Sequence, residues 1–184
     1  MTDYVKRCFD RIYVEKDFDY FRENCQKPYH WIELFEEQCQ NLCQKLVKSN
    51  FDYSPQVRFY ADFPDMQEAE FHVQYSTLVG ISKVAKLYYI HHSFDVKNRD
   101  PERLDPTLYG FSDSPYCFKQ YHFEEFVVKF MEEHEVNRLF TPDQEEVVTL
   151  KKLPENRIFG TQLTVYNALF EDIYDIYHSD SPPI

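Results

Sequence analysis

The sequence predicts an α+β fold: an antiparallel β-sheet with a meander or hairpin core and amphipathic helices packed on one face. Three observations predict it. Apolar residues in the first fifty positions recur at helical spacing, the period then drops to two between Gln56 and Val96, and helical spacing returns after Tyr121. No βαβ rhythm is present, so a doubly wound parallel sheet is not expected.

Taken in order, Tyr4, Val5, Cys8, Phe9, Ile12 and Tyr13 lie on one helical face behind Thr2, a residue suited to capping. Phe18, Phe21 and Cys25 continue that pattern or form a second short helix. After Pro28 the spacing predicts a long helix over Tyr29–Val47, with Trp31, Leu34, Phe35, Leu42, Leu46 and Val47 as its stripe. Gln56–Ala61 reads as a short strand. Glu68–Val79 alternates most cleanly: Ala69, Phe71, Val73, Tyr75, Thr77 and Val79 against Glu68, Glu70, His72, Gln74 and Ser76. Gly80 is the expected turn, and Ile81–Val96 the expected return strand. A long irregular stretch from Lys97 to Pro115 follows, then a helix over Tyr121–Val136. Thr141-Pro142-Asp143-Gln144 has the form of a helix start, and that helix is expected to run toward Pro154. Arg157–Phe170 reads as one or two strands. The chain is thereby expected to form a single globular domain over 1–184, with a helical part over 2–50, sheet and helices over 51–170, and an acidic aromatic segment over 171–184.

Composition narrows the chemistry. The 184 residues carry 32 acids against 20 bases, a formal charge of −12. That opposes a nucleic-acid-binding surface. Only three glycines occur, each at least 30 residues from the next, so neither a Gly-x-Gly-x-x-Gly turn nor a Walker loop can be built. The same scarcity removes the Gly-x-Ser-x-Gly nucleophile elbow. Five cysteines, an odd number, with no secretory signal behind Met1, read as free thiols in a reducing cytoplasm. No apolar run reaches membrane-spanning length. Cys39 and Cys43 share a helical face, but a structural zinc site wants four ligands, so they read as small hydrophobes. No metal and no cofactor is expected.

Aromatic residues make up 18% of the chain, with 15 tyrosines. Buried tyrosines need hydrogen-bond partners, and exposed ones favour interfaces. Acid is concentrated late: residues from Gln120 onward carry a net −8, and the stretch Glu171–Asp180 has no lysine or arginine. Glu171, Asp172, Tyr174, Asp175 and Tyr177 are therefore the expected contact residues for a basic protein partner, with the acids steering and the tyrosines anchoring. This profile suits a non-enzymatic inhibitor or immunity-type protein that neutralises a basic protein such as a nuclease toxin. The alternative is a small metal- or acid–base-dependent enzyme, with Glu70, His72, His91 and His92 gathered on an open sheet face by a turn at Gly80. A homodimer that buries the exposed aromatics is a third outcome.

Overall fold

The computed structural model describes residues 2–49, 53–68, 70–98, 100, 102, 108–148 and 163–180. An antiparallel sheet carries the architecture, flanked among the described residues by six α-helices, so the fold is α+β. The strand path is β1 (Lys45–Ser49), β2 (Gln56–Asp62), β4 (Phe71–Ser82), β5 (Leu87–Asn98) and β6 (Leu108–Ser112). Short β3 (Met66–Glu68) adds to β4, and β7 (Asn137–Arg138) adds in parallel to β5. A separate pair joins β8 (Val147–Val148) to β9 (Leu163–Thr164).

Helices cover both faces of this sheet rather than one. On one face, α3 (His30–Cys39) and α4 (Phe118–Glu133) bury Phe35, Phe123, Val127 and Met131 against Phe59, Ala61, Val79, Ile81 and Ile90. On the other, α1 (Asp3–Phe9), the π-helical turn Asp10–Val14, α2 (Phe18–Gln26) and α6 (Val165–Phe170) pack Phe9, Ile12, Phe21, Leu169 and Phe170 with Leu87 and Tyr89. Strand alternation dictates this arrangement. Tyr88 and Ile90 point one way while Leu87 and Tyr89 point the other, and all four are buried.

The N-terminal helices start where capping chemistry puts them. Thr2 Oγ1 accepts from Val5 N at 3.3 Å, and Asp17 Oδ1 accepts from Tyr20 N at 3.1 Å. The third helix corrects an expectation, because α3 stops at Cys39 and does not run to Val47. Lys45–Ser49 instead pairs with Arg58–Asp62, and Lys48 Nζ reaches back 2.6 Å to Glu36 on α3. Five ladder partners on β2 override a weak helical periodicity. Cys39 is fully buried at the helix end, Cys43 beyond it donates to the Cys39 carbonyl, and all five described cysteines are free thiols.

The hairpin turn also lies elsewhere. Gly80 is inside β4, and the chain reverses over Lys83–Lys86. A Cβ at Gly80 would overlap the Tyr89 ring that lies across it, so glycine serves packing here. The hairpin tip is buried at Val84 and Ala85 yet contains no glycine. Tyrosine hydroxyls satisfy its backbone. Tyr20 donates to Val84 O and Tyr29 to Lys83 O, each at 2.9 Å, and Tyr4 accepts from Lys86 N at 2.6 Å. Ser82 Oγ accepts from Ala85 N at 3.1 Å and donates to Leu169 O at 2.6 Å.

Later elements are shorter than expected. The irregular stretch holds strand β6. The helix α5 spans only Thr141–Gln144, because Glu145 and Glu146 lead directly into β8. The segment before Glu171 ends in helix α6, capped by Thr164 Oγ1 accepting from Asn167 N at 3.2 Å; the rest of the expected strand region, 157–162, lies outside the described residues.

Candidate functional site

The C-terminal segment folds back on the body. Ile176 is fully buried and Tyr174 is 5% exposed, its ring meeting Tyr13 edge-on at 6.1 Å. Arg22 fixes the segment by donating to Ile176 O at 3.1 Å and to Ser179 O at 2.6 Å. Asp172 closes its turn, with its two carboxylate oxygens accepting from Ile176 N at 2.7 Å and from Tyr177 N at 2.9 Å. Burial pushes the Asp172 carboxyl above its usual range, against the pull of those two amides.

Between this segment and the start of β2 lies a cleft of about 350 Å³. It is lined by Tyr53, Gln56, Arg58, Glu171, Asp172, Asp175, Tyr177 and their neighbours. Tyr177 stacks on Tyr53 with centroids 4.3 Å apart, and its hydroxyl is held by the Gln26 amide. Two of the four described non-glycine residues with positive φ line this one cleft: Tyr53 at 77° and Asp175 at 54°. Such strain persists only where surrounding contacts hold it, and it gathers at functional sites. Arg58 reaches in from β2, with Nη2 donating to Tyr166 Oη at 2.9 Å and lying 3.9 Å from Glu171 Oε1. Its Nε is buried and makes no hydrogen bond among the described residues. Glu171 Oε2 in turn accepts from Asn167 at 2.9 Å.

Four of the five expected contact residues thus share one cleft: Glu171, Asp172, Asp175 and Tyr177. Tyr174 does not join them, because its ring is part of the core. The sequence reading missed Arg58, Tyr53 and Gln56. They sit more than a hundred residues away in the chain, and only the fold brings them to the acidic segment. Three carboxyl groups and a single guanidinium line the cleft, so the lining favours a cation.

The histidine cluster does not form. With the turn at Lys83–Lys86, His72 pairs with Lys97, while His92 pairs with Thr77, five steps along β4. At ~3.4 Å per residue that is roughly 17 Å. His91 and His92, as neighbours on a strand, point to opposite faces. Glu70 lies in the exposed turn before β4, and His72 Nε2 is held by Asp65 at 2.6 Å. No group of three or more His, Cys, Asp or Glu among the described residues is placed to hold a metal.

His91 and His92 each have a packing role. His91 lies between the rings of Tyr89 and Phe111, 3.1 Å from Gln144 Nε2 and 3.6 Å from Asp113 Oδ1. Burial pulls its imidazole below the ordinary histidine value, against the nearby Asp113 carboxylate. His92, fully buried, bridges Thr77 Oγ1 at 2.9 Å and Glu124 Oε2 at 3.1 Å, and Glu124 also holds Arg138. The order hydroxyl–imidazole–carboxylate has the sequence of groups of a nucleophilic triad, but the Thr77 hydroxyl is enclosed, at 1% exposure. Burial alone would raise the Glu124 carboxyl, yet the bonds from His92 and Arg138 outweigh it and hold the group below its usual range. A depressed carboxyl contributes stability above its unfolded value, about 4.3, and loses it as pH falls through the lower folded value. Acid unfolding of Glu124→Gln is therefore expected to show a shallower loss of stability below about pH 4 than the parent. Denaturant titrations across that range check this, and parallel curves would contradict it.

Comparison with protein-family models, with curated proteins and with solved structures finds no match for this chain.

Proposed function

We propose that the chain is a non-enzymatic interaction protein, of the inhibitor or immunity type, that docks a basic protein such as a nuclease toxin at the C-terminal cleft. The observation that carries this reading is the convergence of Glu171, Asp172, Asp175 and the Tyr53–Tyr177 stack on one concave site. A lysine or arginine of the partner lays its stem on the tyrosine rings and its charge among the carboxylates. Arg58 lines the same cleft, its guanidinium held by Tyr166. The net charge of −12 steers such a partner toward the surface from a distance.

Asp172 gives the reading a pH signature. Its carboxyl is raised by burial, and an arriving cation stabilises the ionised form. Affinity for a basic ligand is then expected to rise with pH through the Asp172 titration and to level off above it. Titrating a hexa-arginine peptide at a series of pH values checks this, and affinity that falls with rising acidic pH would contradict it.

The site itself is tested by following amide chemical shifts while the peptide is added at low salt. The expected result is a set of shifts centred on Tyr53, Asp172, Asp175 and Tyr177 that salt abolishes. Shifts confined to the acidic faces of other helices would overturn the assignment of the cleft. An assay of a basic nuclease with and without the protein then tests the inhibitor class.

A further inference from the structure

We propose that strand β6 is a dimerisation edge, at which a second copy of this chain adds its own β6 antiparallel and continues the sheet. This inference is independent of the cleft and of its proposed partner. Among the described residues β6 has one sheet neighbour, β5, so its outer backbone groups face away from the ladder. Its five residues, Leu-Tyr-Gly-Phe-Ser, carry no charge. Edge strands are ordinarily protected by lysine, proline, a bulge or a covering element, and a bare uncharged edge pairs readily.

Exposure on this strand is high on both faces. Leu108 is 62%, Tyr109 77% and Phe111 59% exposed. Phe118, which opens α4 on the Leu108 side of the sheet, is 83% exposed. With roughly 150–250 Å² per aromatic side chain, these four residues offer on the order of 500 Å² per copy. Two copies then bury about 1,000 Å², the lower bound for a specific interface.

The sequence of β6 is also complementary to itself. Antiparallel pairing centred on Gly110 sets Gly110 against its counterpart, Tyr109 against Phe111 of the second copy, and Leu108 against Ser112. Tyr109 and Phe111 share one sheet face, since their β5 partners Asp95 and Ser93 are two residues apart. The twofold axis therefore creates two cross-strand aromatic pairs on that face, the kind of contact that stabilises a sheet. Gly110 keeps the centre flat, because the Phe94 ring already lies over it on the opposite face. A register with this symmetry points to a second copy, since an isologous contact needs one self-complementary patch.

Charge gives a diagnostic. Two chains of −12 repel, so salt strengthens this association, whereas salt weakens the docking of a basic partner. Sedimentation equilibrium of the full chain over a micromolar concentration series, at low and high salt, tests the proposal. The expected species has twice the 22.4 kDa of the chain, and its fraction increases with salt. Phe111→Lys and Tyr109→Lys, at exposed positions, are expected to raise the dimer dissociation constant by about tenfold or more while leaving the far-ultraviolet circular dichroism unchanged. A monomer at every concentration and salt overturns the proposal. So does a dimer that both lysine variants leave intact.

Discussion

His92→Ala is expected to lower the unfolding free energy by about 3 kcal/mol. The imidazole is fully buried and bonded at both nitrogens, so the change costs twice over. It leaves a cavity between β4, β5 and α4, and it takes one partner from the Thr77 hydroxyl and one from the Glu124 carboxylate. A partly buried carboxylate that loses a hydrogen bond leaves part of its desolvation uncompensated. Arg138 still holds Glu124, which keeps the loss below that of an orphaned charge. For a chain of this length the melting temperature is expected to fall by roughly 6–12 °C. Thr77→Val, which removes only the hydroxyl half of the bridge, is expected to cost about 1 kcal/mol. A His92→Ala protein within about 0.5 kcal/mol of the parent would behave like a surface variant and would contradict the bridging role.

Gly80→Ala is expected to destabilise by about 2 kcal/mol, although alanine usually improves a strand. Removing a glycine restricts the unfolded chain, a gain of about 0.4–1 kcal/mol where the native backbone tolerates a side chain. Gly80 has no positive φ, so that gain applies. The opposing effect is steric. The new Cβ overlaps the ring of Tyr89, which is 1% exposed, bonded to Gln56 and packed edge-on against Tyr166 and Phe170. With no space to retreat, the ring or the strand must shift. Gly110→Ala meets the Phe94 ring in the same way, but Phe94 is only half-buried beside an edge strand, and the smaller penalty is expected there. Combining Gly80→Ala with Tyr89→Leu should recover part of the loss, and the non-additivity measures the overlap. Two additive losses would show that ring and glycine do not compete for one space.

These two residues also show what was legible in the sequence. Period-two alternation over Phe71–Val79 was readable because sheet burial acts on every second residue. The turn was not readable, because Gly80 carries a strong local turn signal and Lys83–Lys86 carries none. What makes Lys83–Lys86 a turn is a set of tyrosine hydroxyls from Tyr4, Tyr20 and Tyr29, more than fifty positions away. Moving the turn moved the register, and the register separated His72 from His92. The C-terminal carboxylates were legible as an unbalanced acidic run. Their placement opposite Arg58 and Tyr53 was not, since no local pattern encodes a contact across more than a hundred residues. Lys45–Ser49 failed for a related reason: its helical spacing is real, but the ladder with β2 prevails.

The central claim is that the cleft between the start of β2 and the C-terminal segment receives a basic side chain. Calorimetric titration of a hexa-arginine peptide into the parent and into Asp175→Asn/Tyr177→Ala, at low salt, tests it most directly. Asp175 is exposed, and Tyr177 is half-buried at the margin of the core, so unchanged circular dichroism of the variant is a condition of the comparison. The account predicts an affinity lower by about tenfold in the double variant, ~1.4 kcal/mol, with a shallower dependence on salt. Equal affinities and equal salt slopes would show that the peptide binds the acidic surface at large, and would contradict the claim.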